Sequence, residues 1–175
     1  MPRSDSAALV IRAATAADTK MIGRLGALLV RVHHEFDAER FIAASAETER
    51  GYGSYLRSQL ANPDIIVLVA ERDGDVLGYT FAGVEGYDYM SLRGPAGVLY
   101  DIVVAPEHRG SGVGRALLEA TLAALEARGA PRVVLSTAER NEAAQRLFAR
   151  AGFRRTMIEM TRELGSNDEG GRSPR

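Results

Sequence analysis

The sequence contains no cysteine. That excludes disulfides, thiolate nucleophiles and Cys-based zinc sites. An excess of charge is missing too: 22 basic residues face 23 acidic ones, for a net charge of −1. A nucleic-acid binder shows a basic surplus or stripe, so no nucleic-acid partner is expected. No apolar run is long enough for a bilayer span, and the N-terminal "MPRSDSAALVIRAA" lacks the apolar stretch of a signal peptide. The expectation is a soluble cytoplasmic protein without a membrane partner. His33, His34 and Asp37 raise a metal question, because His33 and Asp37 share a helix face, but no third ligand is in sequence reach and no metal is expected.

What remains is ample for a core. The chain has 175 residues, 46% of them apolar, which fits one domain. A loose N-terminus over 1–8, one domain over 9–164 and a polar, glycine-rich, disordered tail over 165–175 are expected. Leu9 to Arg12 reads as a strand, with Thr15 as an N-cap. Met21, Ile22, Leu25, Leu28, Leu29 and Val32 recur at helical spacing, and a second helix is expected from Ser54 to Leu60, stopped by Asn62-Pro63. "IIVLVAE", a "RDGD" turn and "VLGYTFAGVE" read as a hairpin. A glycine-rich loop, Gly86 to Gly97, leads into the strand "VLYDIVV". After it come a helix over Gly112–Arg128 closed by Gly129, a strand "RVVLST", a helix over Asn141–Ala151 closed by Gly152, and a last strand "TMIEMTREL".

The strand "VLYDIVV" runs into "APEHRGSGVG", three glycines in five residues before a helix. Successive N–H groups at such a turn, with the positive end of the helix behind them, form a phosphate site. A nucleotide P-loop would need Lys-Ser/Thr after Gly114, where Arg115 and Ala116 stand. A dinucleotide fingerprint would need glycine at Arg115, or glycine or alanine at Leu117, and finds neither. What fits is Arg109-x-x-Gly112-x-Gly114, preceded by "VAPEHRG" and followed at a distance by "NEAAQRLFARAGF", Asn141 to Phe153.

On those two motifs, and on an element order that agrees from about Leu9 to Leu164, the chain resembles the GNAT superfamily of N-acetyltransferases. The resemblance implies an α/β (α+β) fold, with a mixed, mostly antiparallel sheet of six to seven strands splayed between strands 4 and 5 and helices on both faces. It implies acetyl-CoA as cofactor. The turn Arg109, Gly110, Ser111, Gly112, Val113, Gly114 and Arg115 would bind the pyrophosphate, Ile102, Val103 and Val104 would pair with the pantetheine arm, and Asn141 would contact the sulfur end. The backbone N–H of Val103 or Val104 would serve the oxyanion. Phe148 falls in the cofactor set at the place where the family commonly has a tyrosine that protonates the departing thiolate; phenylalanine cannot donate, and it also reads as a core residue.

The implied reaction is direct attack by a primary amine of a small molecule or peptide on the acetyl thioester. Such an amine must first be neutral, although its reference pKa is ~10.4. Asp101, Tyr100 and Glu85 are the catalytic candidates: the two carboxylates as base, Tyr100 as substitute acid. The acceptor side would come from the region Met21–Leu60 and the loop Gly86–Gly97, with His33, Tyr87, Tyr89 and Thr137 as candidate contacts. Family habit implies a homodimer as one option. The alternative reading is a module of the same fold that binds an acyl-CoA but has lost catalysis, which Phe148 and Tyr100 keep open.

Overall fold

The computed structural model describes residues 8–164; the loose N-terminus and polar tail expected at the chain ends lie, apart from Ala8, outside them. The elements run β1 (Val10–Ala13), α1 (Thr19–Phe36), α2 (Thr48–Gln59), β2 (Ile65–Arg72), β3 (Asp75–Glu85), β4 (Ala96–Val104), α3 (Val113–Ala127), β5 (Val133–Leu135) and α4 (Glu142–Arg150). The five strands form one sheet in sequence order, antiparallel from β1 to β4 and parallel between β4 and β5. The β2–β3 hairpin turns through Asp73 and Gly74, both at positive φ, as a two-residue turn that matches strand twist requires.

Alternation along the strands sorts the core into two faces. Val67, Val69, Tyr79, Phe81 and Val103 meet Ile22 and Leu25 of α1 and Leu56 of α2. Ile66, Ala82 and Leu99 meet Leu118 and Leu125 of α3 and Phe148 of α4, while Ala70 and Leu77 meet Val113 and Leu117. Helices therefore cover both faces of the sheet. None of the described helices is long and apolar enough to cross a membrane.

Two expectations from the sequence are corrected. The second helix begins at Thr48, not Ser54. Gly51 and Gly53 argue against helix by propensity, but tertiary contact overrides it: α2 lies so close on α1 that a Cβ on Gly53 would be 2.7 Å from the Thr19 carbonyl oxygen. The last strand over 156–164 does not form, and among the described residues the sheet has five strands rather than six or seven. Glu159 instead pairs with Arg40 in the loop after α1, and Arg155 donates to Gln145 of α4. Met157, Ile158, Met160 and Leu164 of this segment are exposed.

Candidate active site

Strands β4 and β5 stay paired for only three residues, Gly97–Leu99 against Val133–Leu135. β5 then ends, while β4 continues to Val104. The gap beyond is the expected splay, and it opens into a cavity of about 240 Å³. Its walls are Leu29, Val30 and His33 of α1, Phe41 and Ile42 of the next loop, Leu99 to Ile102 of β4, Leu135 to Thr137 at the end of β5, and Asn141, Ala144 and Phe148.

Along its other edge β4 carries a bulge. Ala82 pairs with Leu99 and Phe81 with Asp101, so Tyr100 has no partner on β3. A bulge shifts the alternation by one residue and re-aims the side chains that follow. Leu99 packs on the α3 side, yet Val103 packs on the α1 side. Tyr100 and Asp101 therefore both turn toward α1 and α2. The Tyr100 ring lies 4.7 Å from Phe81 by centroids. Oδ2 of Asp101 accepts the hydroxyl of Tyr79 at 3.1 Å and that of Tyr52.

This cluster is held by its burial. Burial pushes the Asp101 carboxyl above the usual carboxylate range, opposed by the two tyrosine hydroxyls and by the charge of His33. Burial first, and then the Asp101 charge, push Tyr52 and Tyr79 well above ordinary phenols, so both remain protonated donors. Tyr52 reaches Asp101 only because Gly26 has no side chain: a Cβ there would meet the Tyr52 ring at 2.1 Å.

His33 is fixed in the cavity wall. Its Nδ1 is 2.9 Å from the Leu29 carbonyl oxygen, and its ring meets Phe41 edge-on at 5.0 Å. Glu85 sits elsewhere: it accepts from Tyr100 Oη and from Arg93, and it is not on the cavity wall. Burial and the hydrogen bond to Glu85 raise the Tyr100 hydroxyl's pKa. Tyr87 and Tyr89 stack on each other at 6.0 Å in the exposed loop before β4, away from the cavity. Thr137 lines the cavity, and so does Asn141, whose side chain also caps α4 by accepting the Ala144 N–H at 3.1 Å.

The glycine turn continues directly from the free edge of β4. Gly110 and Gly112 have φ of +75° and +88°, where other residues are strained, and a Cβ on either would meet open space. The first backbone bond of α3 runs from the Ala116 N–H to Gly112 O at 3.0 Å. Among the described residues the N–H groups from Gly110 to Arg115 have no hydrogen-bond partner. Six free donors at the positive end of a 15-residue helix suit an anion of more than one charge. Arg109 donates to Val104 O at 3.1 Å, and Arg115 pairs with Glu119.

The edge of β4 has a definite polarity. Ala105 N–H donates to Leu77 O on β3 at 2.9 Å. By alternation Val103 and Asp101 also turn their N–H groups to β3, leaving Ile102 and Val104 to face the open edge. Of the two N–H groups considered for the oxyanion, Val104 has the free one. Phe148 is buried and packs against Phe153 at 5.8 Å, as a core residue does.

Sequence reasoning did not single out Tyr52 or Tyr79. The signal for Tyr79 was present, since a tyrosine inside a buried strand needs a partner for its hydroxyl. Tyr52 carried none, because its role depends on how closely two helices cross.

The profile of the acetyltransferase (GNAT) family matches residues 29–153. A mycothiol acetyltransferase of Thermobispora bispora is 42% identical over 96 residues, covering 53% of this chain and 31% of that protein. The protein of the same name from Cellulomonas flavigena is 38% identical over 96 residues, covering 53% and 28%. The matched stretch thus spans about a third of the length of these curated relatives. Among solved structures, a mutant of the BH1408 protein of Bacillus halodurans superposes with a TM-score of 0.77 at 22% identity, covering 89% of this chain and 99% of that one. A predicted acetyltransferase of Clostridium acetobutylicum, crystallised with acetyl-CoA, superposes with a TM-score of 0.65 at 16% identity, covering 88% and 96%. At these identities the structures speak for the fold alone.

Proposed function

The chain belongs to the GNAT acetyltransferase family, and on that premise we propose that it moves the acetyl group of acetyl-CoA directly onto a primary amine held between β4 and β5. The observation that carries this reading is the row of six unpartnered N–H groups, Gly110 to Arg115, continuing from the free edge of β4. It fits a ligand with a pyrophosphate at one end and an extended amide-bearing arm at the other. The relatives named for acetyl transfer support the same donor.

Acetyl-CoA supplies an activated acyl carbon and a thiolate leaving group. The chain's residues do the rest. The N–H groups of the turn bind the pyrophosphate, and Arg109 and Arg115 exchange Val104 O and Glu119 for its charge. Ile102 and Val104 pair with the amides of the arm as an added strand would. The Val104 N–H, free at the open edge of β4, would donate to the thioester carbonyl oxygen, where negative charge develops. Asp101 gives the cavity a buried carboxyl for an ammonium to approach. With Phe148 in place of an acid, the thiolate leaves to water; a thiol's reference pKa of ~8.5 makes that step tolerable near neutrality.

A small-molecule or peptide amine fits the volume of the cavity. The contrary reading, a module that binds the cofactor without turnover, leans on the buried packing of Phe148. It leaves the carboxylate and imidazole facing the same cavity without a purpose. The test is release of free thiol from acetyl-CoA in the presence of amines, polyamines and peptides, with calorimetry for binding. Turnover above the protein-free rate with any acceptor supports transfer. Binding without turnover across the panel supports the module, and no binding at millimolar acetyl-CoA overturns both.

A further inference from the structure

We propose that His33, through Nε2, is the general base that takes the proton from the acceptor's ammonium. This rests on the acetyl-transfer reading above. A neutral amine is needed, and the cavity must therefore contain a group able to receive a proton. Glu85 is spent on Tyr100 and Arg93 and lies outside the cavity wall. Asp101 lines the cavity, but its Oδ2 already accepts two tyrosine hydroxyls, which oppose its taking up a proton.

His33 is arranged otherwise. The Leu29 carbonyl oxygen, 2.9 Å from Nδ1, can only accept, so Nδ1 must carry the ring proton. The lone pair of the neutral imidazole then lies on Nε2, which has no hydrogen-bond partner among the described residues. Phe41 at 5.0 Å and Phe36 at 6.0 Å hold the ring edge-on. The backbone carbonyl thus selects the tautomer with its basic nitrogen free.

Asp101 faces the cavity from β4. Glu35 and Asp37 flank the end of α1. Arg40, from the following loop, is taken up by Glu159 and by the Phe41 ring at 4.9 Å. Arg140, ahead of α4, donates to Phe36 O at 2.8 Å. Tyr100 presents a neutral hydroxyl already given to Glu85.

The step balances as follows. One proton passes from the ammonium to Nε2 and is later released to solvent. The freed nitrogen pair forms the C–N bond to the acetyl carbon as the C–S bond breaks, its electron pair going to sulfur. The second nitrogen proton reaches sulfur through solvent. Ammonium plus thioester gives amide, thiol and one proton.

Two measurements test this. In His33→Gln, kcat should fall about a hundredfold or more, KM for acetyl-CoA should stay within about twofold, and the acidic limb of the kcat/KM profile should vanish. Added imidazole should restore part of the rate to His33→Ala. Independently of activity, ¹⁵N NMR of the wild-type protein, with His33 assigned by difference from His33→Gln, should show the Nδ1–H tautomer. A His33→Gln rate within threefold of wild type with an unchanged pH profile overturns the proposal alone, as does an Nε2–H tautomer. A wild type that turns over no acceptor overturns the transfer reading and this proposal with it.

Discussion

Replacing Gly26 by alanine should destabilise the protein, although alanine is the better helix former. The gain is about 0.8–1.0 kcal/mol from propensity at an interior position of α1. Against it stands one clash. The three atoms nearest to the new Cβ all belong to the Tyr52 side chain, at 2.1, 2.5 and 2.5 Å. The ring must move, and overpacking of this kind costs about 1–3 kcal/mol. Its hydroxyl then leaves Asp101, a hydrogen bond to a charged acceptor worth about 1.5–3 kcal/mol. The net expectation is a loss of about 1.5–5 kcal/mol, which for a chain of this size lowers Tm by roughly 3–20 °C.

The sign should reverse in a second background. In Tyr52→Ala the three nearest atoms are gone, and Gly26→Ala should then stabilise by about 1 kcal/mol. Urea unfolding of the four proteins closes the cycle, with a coupling of at least about 2 kcal/mol expected. Gly23 supplies the control: a Cβ there would meet the Glu49 carbonyl oxygen at 2.4 Å, backbone that truncating Tyr52 does not remove. If Gly26→Ala destabilises equally in both backgrounds, the close crossing of α1 and α2 is not what seats Tyr52. In that case the account of how Asp101 acquires its donors fails with it.

Other perturbations have equally definite signs. Asp18 is buried against Arg12, whose guanidinium holds its carboxyl at about 2, below the 3.8 of the unfolded chain. Its proton binds less readily when folded, so the stabilisation of about 2 kcal/mol is complete above about pH 5 and lost as pH falls toward 2. Asp18→Asn should flatten that limb of a plot of Tm against pH. The fully buried hydroxyls of Thr80 and Thr121 are 2.8 Å apart, and Thr121 spends its proton on Leu117 O. Thr121→Val strands the donor of Thr80 and should cost about 1–3 kcal/mol in urea unfolding, whereas Thr80→Val leaves Thr121 its acceptor and should cost less. Gly74→Ala and Gly112→Ala place alanine at φ of +86° and +88° in open space. Each should cost about 1–2 kcal/mol of stability, but only the second should weaken acetyl-CoA binding by calorimetry.

The parts of the molecule legible in the sequence are those set by local rules. Glycines at positive φ mark the turn at Gly112 and the helix ends at Gly129 and Gly152, and β-branched runs mark β2 to β4. The family was legible for the same reason: its signature is a contiguous turn whose backbone does the binding. The cluster around Asp101 was not, and the cause is the bulge at Tyr100. Strict alternation puts Tyr100 and Asp101 on opposite faces, and a single unpaired residue puts both on one. No residue type announces that slip, because Leu-Tyr-Asp is as compatible with a regular strand as with a bulged one. The failed last strand teaches the converse. "TMIEMTREL" alternates well enough to pair, but β5 offers three residues of partner, and the ties of Glu159 and Arg155 lead elsewhere. A pattern in one segment states only what that segment can do. Whether an edge is there to receive it depends on the rest of the chain, and so does whether a tyrosine two helical turns from nothing in particular will reach a buried carboxylate.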